Sequence, residues 1–308
     1  MDAGKFRGFK RISNSRGQFI MLALDQRGAL KRMISKIRSV KDPDDLLRVK
    51  IAILKSLADK VSAVLIDPEY GFPENLRFVP KETGVIVATE KTGYLQDGDK
   101  GGRLTELVSI DIIERIKLSG ADAAKLLIYW SENASQRVKI YQEEIVKCFG
   151  ESCRKLELLS ILEIVTYDTT PQGRDYHVLS ALELFSQSKF AVDLFKIEPF
   201  SPSISKVSMN EIETAVRGKP WVVLSGGMDV LSFVETVDFN CRLGSSGFLA
   251  GRVVWKDAVT LIESPERMEE FLRNSGSFFL NSIKRACRSA VPFYATSSIG
   301  GHESILIE

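Results

Sequence analysis

Eight times along the chain a short, nearly continuous apolar run ends in polar or charged residues, with helical segments between most of the runs. The runs are Phe19 to Gln26 (FIMLALDQ), Val61 to Tyr70 (VSAVLIDPEY), Gly84 to Gly93 (GVIVATEKTG) and Ala121 to Trp130 (ADAAKLLIYW). They continue with Leu156 to Tyr167 (LELLSILEIVTY), Asp193 to Pro199 (DLFKIEP), Trp221 to Gly227 (WVVLSGG) and Gly247 to Trp255 (GFLAGRVVW). A continuous apolar run is what a strand buried on both faces looks like, because neither side of it meets water. The intervening segments repeat apolar residues at helical spacing, as in Leu46, Leu47, Val49, Ile53, Leu54 and Leu57. Further helices are expected at about Leu107–Ser119, Ser135–Phe149, Val178–Gln187, Asn210–Val216 and Val230–Cys241. Eight buried strands alternating with helices predict an α/β chain folded as one (β/α)8 barrel over residues 1–308. An open doubly wound sheet is the rival, but no GxGxxG follows the first strand, so its dinucleotide-binding form loses its main support. Gln96 to Arg103 reads as a Gly/Asp-rich loop, and the chain from about Pro265 as one long closing helix and a polar tail.

In such a barrel, reacting groups come from the C-terminal ends of several strands and converge on one mouth. Charged residues embedded in the runs are therefore the candidates. Lys196 sits between Phe195 and Ile197, Lys125 between Ala124 and Leu126, Glu163 between Leu162 and Ile164, and Asp25 closes the first run. A lysine in such company points into a polar pocket, forms an ion pair, or reacts. The bland reading makes all four satisfied interior ion pairs. The sharper reading is Schiff-base chemistry: Lys196 as amine nucleophile and Lys125 as the neighbouring cation that lowers its pKa. Glu163 would shuttle protons, and Asp25 would orient a lysine or bind substrate hydroxyls. Glu198 is a second-rank candidate, being next to the strand-ending Pro199.

A second signal is anion binding. Ser225, Gly226 and Gly227 follow the seventh run, and Gly251 and Arg252 fall near the middle of the eighth, where many barrels hold a phosphate on backbone N–H groups. Arginine adds a bidentate charge. The plain reading of Ser-Gly-Gly is a tight turn. Arg27 would hold a second anionic group or be a solvated surface charge.

Composition limits the partners. With 42 basic and 40 acidic residues the net charge is +2, too small to point to nucleic acid. No apolar run is long enough to span a bilayer, and Met1 to Arg16 lacks the apolar core of a signal peptide, so a cytoplasmic protein without a membrane partner is expected. Cys148, Cys153, Cys241 and Cys287 are scattered with no CxxC, and His177 and His302 are the only histidines. Neither a metal site nor a cofactor is expected from that set.

Several motifs in one order resemble the tagatose 1,6-bisphosphate aldolase family of class I aldolases, which includes the related sulfofructose phosphate aldolases. The carriers are LALDQRGALKRM (Leu22 to Met33), LIDPEYG (Leu65 to Gly71), EKTGY (Glu90 to Tyr94) and GADAAKLLIYW (Gly120 to Trp130). Leu162-Glu163, DLFKIE (Asp193 to Glu198), LSGG (Leu224 to Gly227) and FLAGRVVW (Phe248 to Trp255) complete the set. The resemblance implies a Schiff-base lysine at Lys196, an acid/base glutamate at Glu163, a supporting lysine at Lys125 and an active-site aspartate at Asp25. It also implies substrate-anion contacts near Gln26, Arg27, Ser225 and Arg252. The implied reaction is reversible cleavage of a ketose phosphate to dihydroxyacetone phosphate and a three-carbon aldehyde bearing phosphate or sulfonate. LIDPEYG and EKTGY look like the tagatose branch, AKLLIYW and SGFLAGRVVW like the sulfosugar branch. The stretch from Pro199 to Trp221 is shorter than the tagatose branch leads one to expect. A non-catalytic barrel that binds sugar phosphates is the alternative of another class, and a homo-oligomer is the default assembly.

Overall fold

The apolar runs become strands only over their central residues. In the computed structural model, which describes residues 1–37, 44–98 and 101–299, these are β1 (Phe19–Leu24), β2 (Ala63–Ile66), β3 (Gly84–Ala88) and β4 (Ala123–Trp130). They are followed by β5 (Leu159–Thr166), β6 (Leu194–Ile197), β7 (Trp221–Leu224) and β8 (Gly247–Ala250). All pair in parallel and close in the order β1-β8-β7-β6-β5-β4-β3-β2, the expected (β/α)8 barrel. Closure depends on Gly247: its φ is +138°, and a Cβ there would lie 2.0 Å from the carbonyl oxygen of Phe19 on β1. Only glycine fits that backbone approach.

Helices alternate with the strands: α1 (Ala3–Ile12), α2 (Gly28–Ser35), α3 (Asp44–Leu57), α4 (Ile112–Leu118), α5 (Gln136–Lys155) and α6 (Arg174–Phe185). After these come α7 (Met209–Val216), α8 (Val230–Arg242), α9 (Arg252–Trp255), α10 (Pro265–Phe271) and α11 (Ser277–Ala286). Their starts are chemically marked. Ser208 and Glu211 form a reciprocal capping box on α7, and Asp229 accepts the Ser232 N–H at the start of α8. Outward strand residues such as Leu22, Val64 and Ile128 pack under these helices in one core. Inward residues, among them Met21, Leu65, Ile86, Ile161, Leu194 and Leu249, fill the barrel as a second.

The structure departs from the sequence expectation in four places. Gly251 and Arg252 do not lie mid-strand: β8 stops at Ala250, and Arg252–Trp255 is helical despite its β-branched and aromatic side chains. Tertiary packing overrides propensity here, since Val253, Val254 and Trp255 are all buried and the Trp255 indole N–H donates to the Ala23 carbonyl at 3.1 Å. The Gly/Asp-rich stretch holds an antiparallel pair, Leu95–Asp97 with Gly102–Leu104. No single closing helix forms. A π-helical turn, Leu272–Gly276, joins α10 to α11, and the chain then crosses the barrel floor with Phe293 and Ile299 buried. Finally, α1 plugs that floor, with Phe9 stacked on Phe293 at a centroid distance of 5.1 Å. His302 lies outside the described residues.

Candidate active site

Inward positions alternate along a strand, so Lys125, Leu127 and Tyr129 on β4 share a face, as do Ile161, Glu163 and Val165 on β5. The register places Glu163 directly opposite Lys196 of β6, and Leu127 opposite Glu163. Lys125 is thus one layer below Glu163 and extends upward to it. The outcome is a continuous charged cluster at the C-terminal mouth. Lys196 Nζ lies 2.8 Å from Glu163 Oε1, and Lys125 Nζ lies 2.9 Å from Glu163 Oε2. Lys125 Nζ also lies 2.7 Å from Asp25 Oδ2 and 2.6 Å from Glu90 Oε1.

Electrostatics fix the state of two members. Burial alone would lower the Lys125 pKa, but Asp25, Glu163 and Glu90 outweigh it and raise it well above the lysine norm. Burial pushes Asp25 up, yet Lys125 and Lys196 together hold it well below the ordinary carboxylate range. Lys125 is therefore a fixed ammonium and Asp25 a fixed carboxylate at neutral pH. Glu163 Oε2 makes no hydrogen bond, its approach to Lys125 being an ion pair only, and Asp25 Oδ1 and Gln26 Oε1 are also buried without partners. Buried acceptors left open in this way are uncommon and await a ligand or water.

These groups face a cavity of about 450 Å³. Asp25, Gln26, Arg27, Glu90, Glu163, Lys196, Ser225, Gly226, Gly251 and Arg252 all line it, and Lys125 lies fully buried beneath. Gly251 is packed against β1: a Cβ there would come within 2.8 Å of the Ala23 carbonyl oxygen and 3.0 Å of Gln26 Nε2. Ser225-Gly226-Gly227 is a turn closed by the Met228 N–H on the Ser225 carbonyl at 2.9 Å, with positive φ at both glycines. Gly227 is not in the cavity wall; a side chain there would meet the Arg252 guanidinium at 3.8 Å. Arg252 has no carboxylate partner among the described residues and so presents an unpaired cation to the cavity.

Arg27 is differently employed. Its guanidinium pairs with Glu69 at 2.8 Å and donates to the Glu90 carbonyl at 2.6 Å, leaving only Nε open. It is neither solvated nor free to clamp an anion through both arms, and acts as a brace between β1 and the loops after β2 and β3. Glu198 lines the cavity but accepts the backbone N–H of Thr166 at 2.7 Å and its hydroxyl at 2.5 Å. Its carboxylate holds the end of β5. His177 is buried on α6, outside the barrel, where Nδ1 accepts the Glu132 N–H at 3.2 Å.

Glu90, Glu69, Tyr129 and Arg32 are site residues that the sequence reading did not single out. Glu90 and Glu69 follow strand ends inside EKTGY and LIDPEYG, where acidic residues read as ordinary loop. The available signal for Glu90 was its alternation with Ile86 and Ala88, which sets it on the inward face of β3.

A parallel barrel whose mouth gathers two lysines and three carboxylates over an anion-accepting cavity defines a (β/α)8 enzyme. The sequence profile described as DeoC/LacD family aldolase matches residues 19–257, and the chain belongs to that family: it is an aldolase, a lyase. It is 29% identical to tagatose 1,6-diphosphate aldolase 2 of Streptococcus mutans serotype c, covering 96% of this chain and 98% of that protein. The corresponding Streptococcus pyogenes serotype M3 protein is 31% identical over 84% and 88%. Among solved structures, fructose-bisphosphate aldolase of Plasmodium falciparum superposes with a TM-score of 0.72 at 14% identity, covering 93% of this chain and 94% of that one, a likeness of fold.

Proposed function

We propose that the chain is a Schiff-base, metal-independent aldolase that reversibly cleaves a ketose phosphate such as tagatose 1,6-bisphosphate into dihydroxyacetone phosphate and glyceraldehyde 3-phosphate. The observation that carries this reading is the 2.8 Å contact between the Lys196 amine and Glu163, in a cavity where the other Glu163 oxygen has no hydrogen bond. The names of the relatives point to the same substrate class.

The chemistry follows from those positions. Lys196, as free amine, adds to the substrate C2 carbonyl to give a carbinolamine. Glu163 relays the proton that lets water leave, so that the iminium forms. Removal of the C4 hydroxyl proton then breaks the C3–C4 bond, releasing the aldehyde and leaving an enamine on Lys196. Protonation at C3 and addition of water return dihydroxyacetone phosphate and the amine. Asp25, held ionised by Lys125, is placed to accept from substrate hydroxyls through its open Oδ1. Ser225, the Gly226 and Gly251 backbone, Gln26 and Arg252 line the part of the wall that would receive a phosphate. Arg32, exposed on α2 and also lining the cavity, offers a further cation for the other end of a bisphosphate.

Borohydride reduction in the presence of dihydroxyacetone phosphate is expected to add its mass irreversibly at Lys196; a label at any other lysine, or none, overturns the assignment. The sulfofructose 1-phosphate alternative, yielding sulfolactaldehyde, is separated by cleavage assays on both sugars and on fructose 1,6-bisphosphate. The tagatose ester is expected to give the highest kcat/KM. Binding of the sugar phosphates without turnover would instead establish the non-catalytic, regulatory reading.

A further inference from the structure

Resting on that Schiff-base reading, we propose that Glu90 is a positioning residue that engages the charge of Lys125 and so sets the pH at which the Lys196–Glu163 pair gives up its proton. Both oxygens of Glu90 are committed: Oε1 accepts from Lys125 Nζ at 2.6 Å and Oε2 accepts the Leu127 N–H at 3.0 Å. Its own carbonyl is held by Arg27 at 2.6 Å, and the residue is 6% exposed. A carboxylate fastened at three points has no lone pair in free rotation to offer a substrate, so it acts through its neighbour. That neighbour has three N–H groups and three carboxylates within 2.9 Å. Glu90 takes the one geometrically sound hydrogen bond among them, which leaves Glu163 Oε2 with an ion pair alone and keeps it available to carry a proton.

The charge balance gives the direction. Three carboxylates and two ammonium groups leave the cluster formally one negative charge in excess. Other charged or titratable groups face it from each neighbouring element: Arg27 with Glu69 from the loops after β1 and β2, Lys91 with Glu106 after β3, and Tyr129 on β4. Glu198 lies after β6, Arg252 after β8, Arg32 on α2, and the buried Lys50–Asp67 pair behind β1 and β2. Replacing Glu90 by glutamine removes the excess negative charge. Lys125 then turns its freed N–H toward Glu163 and Asp25, and a less negative cluster loses protons more readily.

The test is the rate of borohydride-trapped adduct formation with dihydroxyacetone phosphate across pH in the wild type, Glu90→Gln and Glu90→Asp. In Glu90→Gln the pH midpoint of trapping is expected to fall by about one pH unit. Glu90→Asp keeps the charge and is expected to keep the wild-type midpoint while trapping more slowly. An unshifted midpoint in Glu90→Gln, with the wild type labelled at Lys196, overturns the role of Glu90 alone. Should the glutamine variant fail to fold, a displaced midpoint in Glu90→Asp overturns it and a retained one supports it. A wild type that never labels at Lys196 overturns both this inference and the reading beneath it.

Discussion

The two ends of the barrel bury charge in opposite ways. At the floor, Asp193, Asp122 and Lys219 precede β6, β4 and β7, and each has its valences filled. Asp193 pairs with Lys5 of the plug helix at 2.8 Å and accepts the Ser160 N–H at 2.9 Å and hydroxyl at 2.8 Å. Asp122 accepts the Val85 N–H at 2.8 Å and faces Arg11 at 3.4 Å, while Lys219 donates to the Val192 carbonyl at 2.7 Å. At the mouth, three carboxylates share Lys125, one of them also holds Lys196, and Asp25 Oδ1, Gln26 Oε1, Arg27 Nε and Glu163 Oε2 remain open. Asp193 and Lys196 stand three residues apart in the same strand motif, so residue type does not distinguish the two ends. Saturation does: a buried charge whose partners are complete is structure, and one with an open acceptor beside it is available for chemistry.

The sharpest way to break this contrast is at Lys196. Lys196→Ala removes the proposed nucleophile and one half of an ion pair whose other half, Glu163, stays anchored by Lys125. Cleavage is expected to fall on the order of 10⁴-fold or more, with the cooperative unfolding transition retained. Turnover within about tenfold of wild type in a steady-state aldol assay would move the chemistry to another group and erase the distinction between the ends.

How the two ends were legible in the sequence differs for the same physical reason. Lys125, Glu163 and Lys196 stood out because a strand buried on both faces has no solvent side, so any charge in it must be explained. Their convergence then followed from the register of a parallel barrel. Glu90 was hidden because β3 ends at Ala88, and beyond a strand end periodicity no longer says which way a side chain turns. Arg27 was misread in kind: its partners, Glu69 and the Glu90 carbonyl, come from loops 42 and 63 residues away, a pairing no local pattern encodes. The plug helix α1 carried a signal that passed unused. Lys5, Gly8, Phe9 and Ile12 are spaced as one helical face and are all buried, yet the surrounding basic residues make the segment look like surface. Why one end is open and the other saturated lies in hydrogen-bond partners, which sequence spacing does not contain.

At the floor the expected effects are on stability. Lys5→Met leaves Asp193 with the Ser160 bonds but without its cation, in a pair whose side chains are 6% and 17% exposed. Breaking a buried pair from one side is expected to cost about 3 kcal/mol in denaturant unfolding, with kcat per folded molecule unchanged. A variant that lost turnover while keeping its stability would show that the plug end communicates with the mouth.

The smallest effect tests saturation by pH. Burial lowers the Lys219 pKa from 10.5 to about 8, the attraction of Asp193 only partly opposing it. The unfolded chain then binds more protons than the folded one between about pH 8 and 10.5, so unfolding free energy rises with pH across that window and is flat on either side. The contribution is about 2 kcal/mol once its hydrogen bond to the Val192 carbonyl is allowed for. Lys219→Met cannot titrate, and it leaves that carbonyl unpaired at every pH, a constant offset. The difference in unfolding free energy between wild type and variant should therefore move in favour of the wild type from pH 7.5 to pH 10, whatever its starting sign. A difference that stays level across that range would mean Lys219 keeps its proton when folded, and that the floor holds a charge as unresolved as those at the mouth.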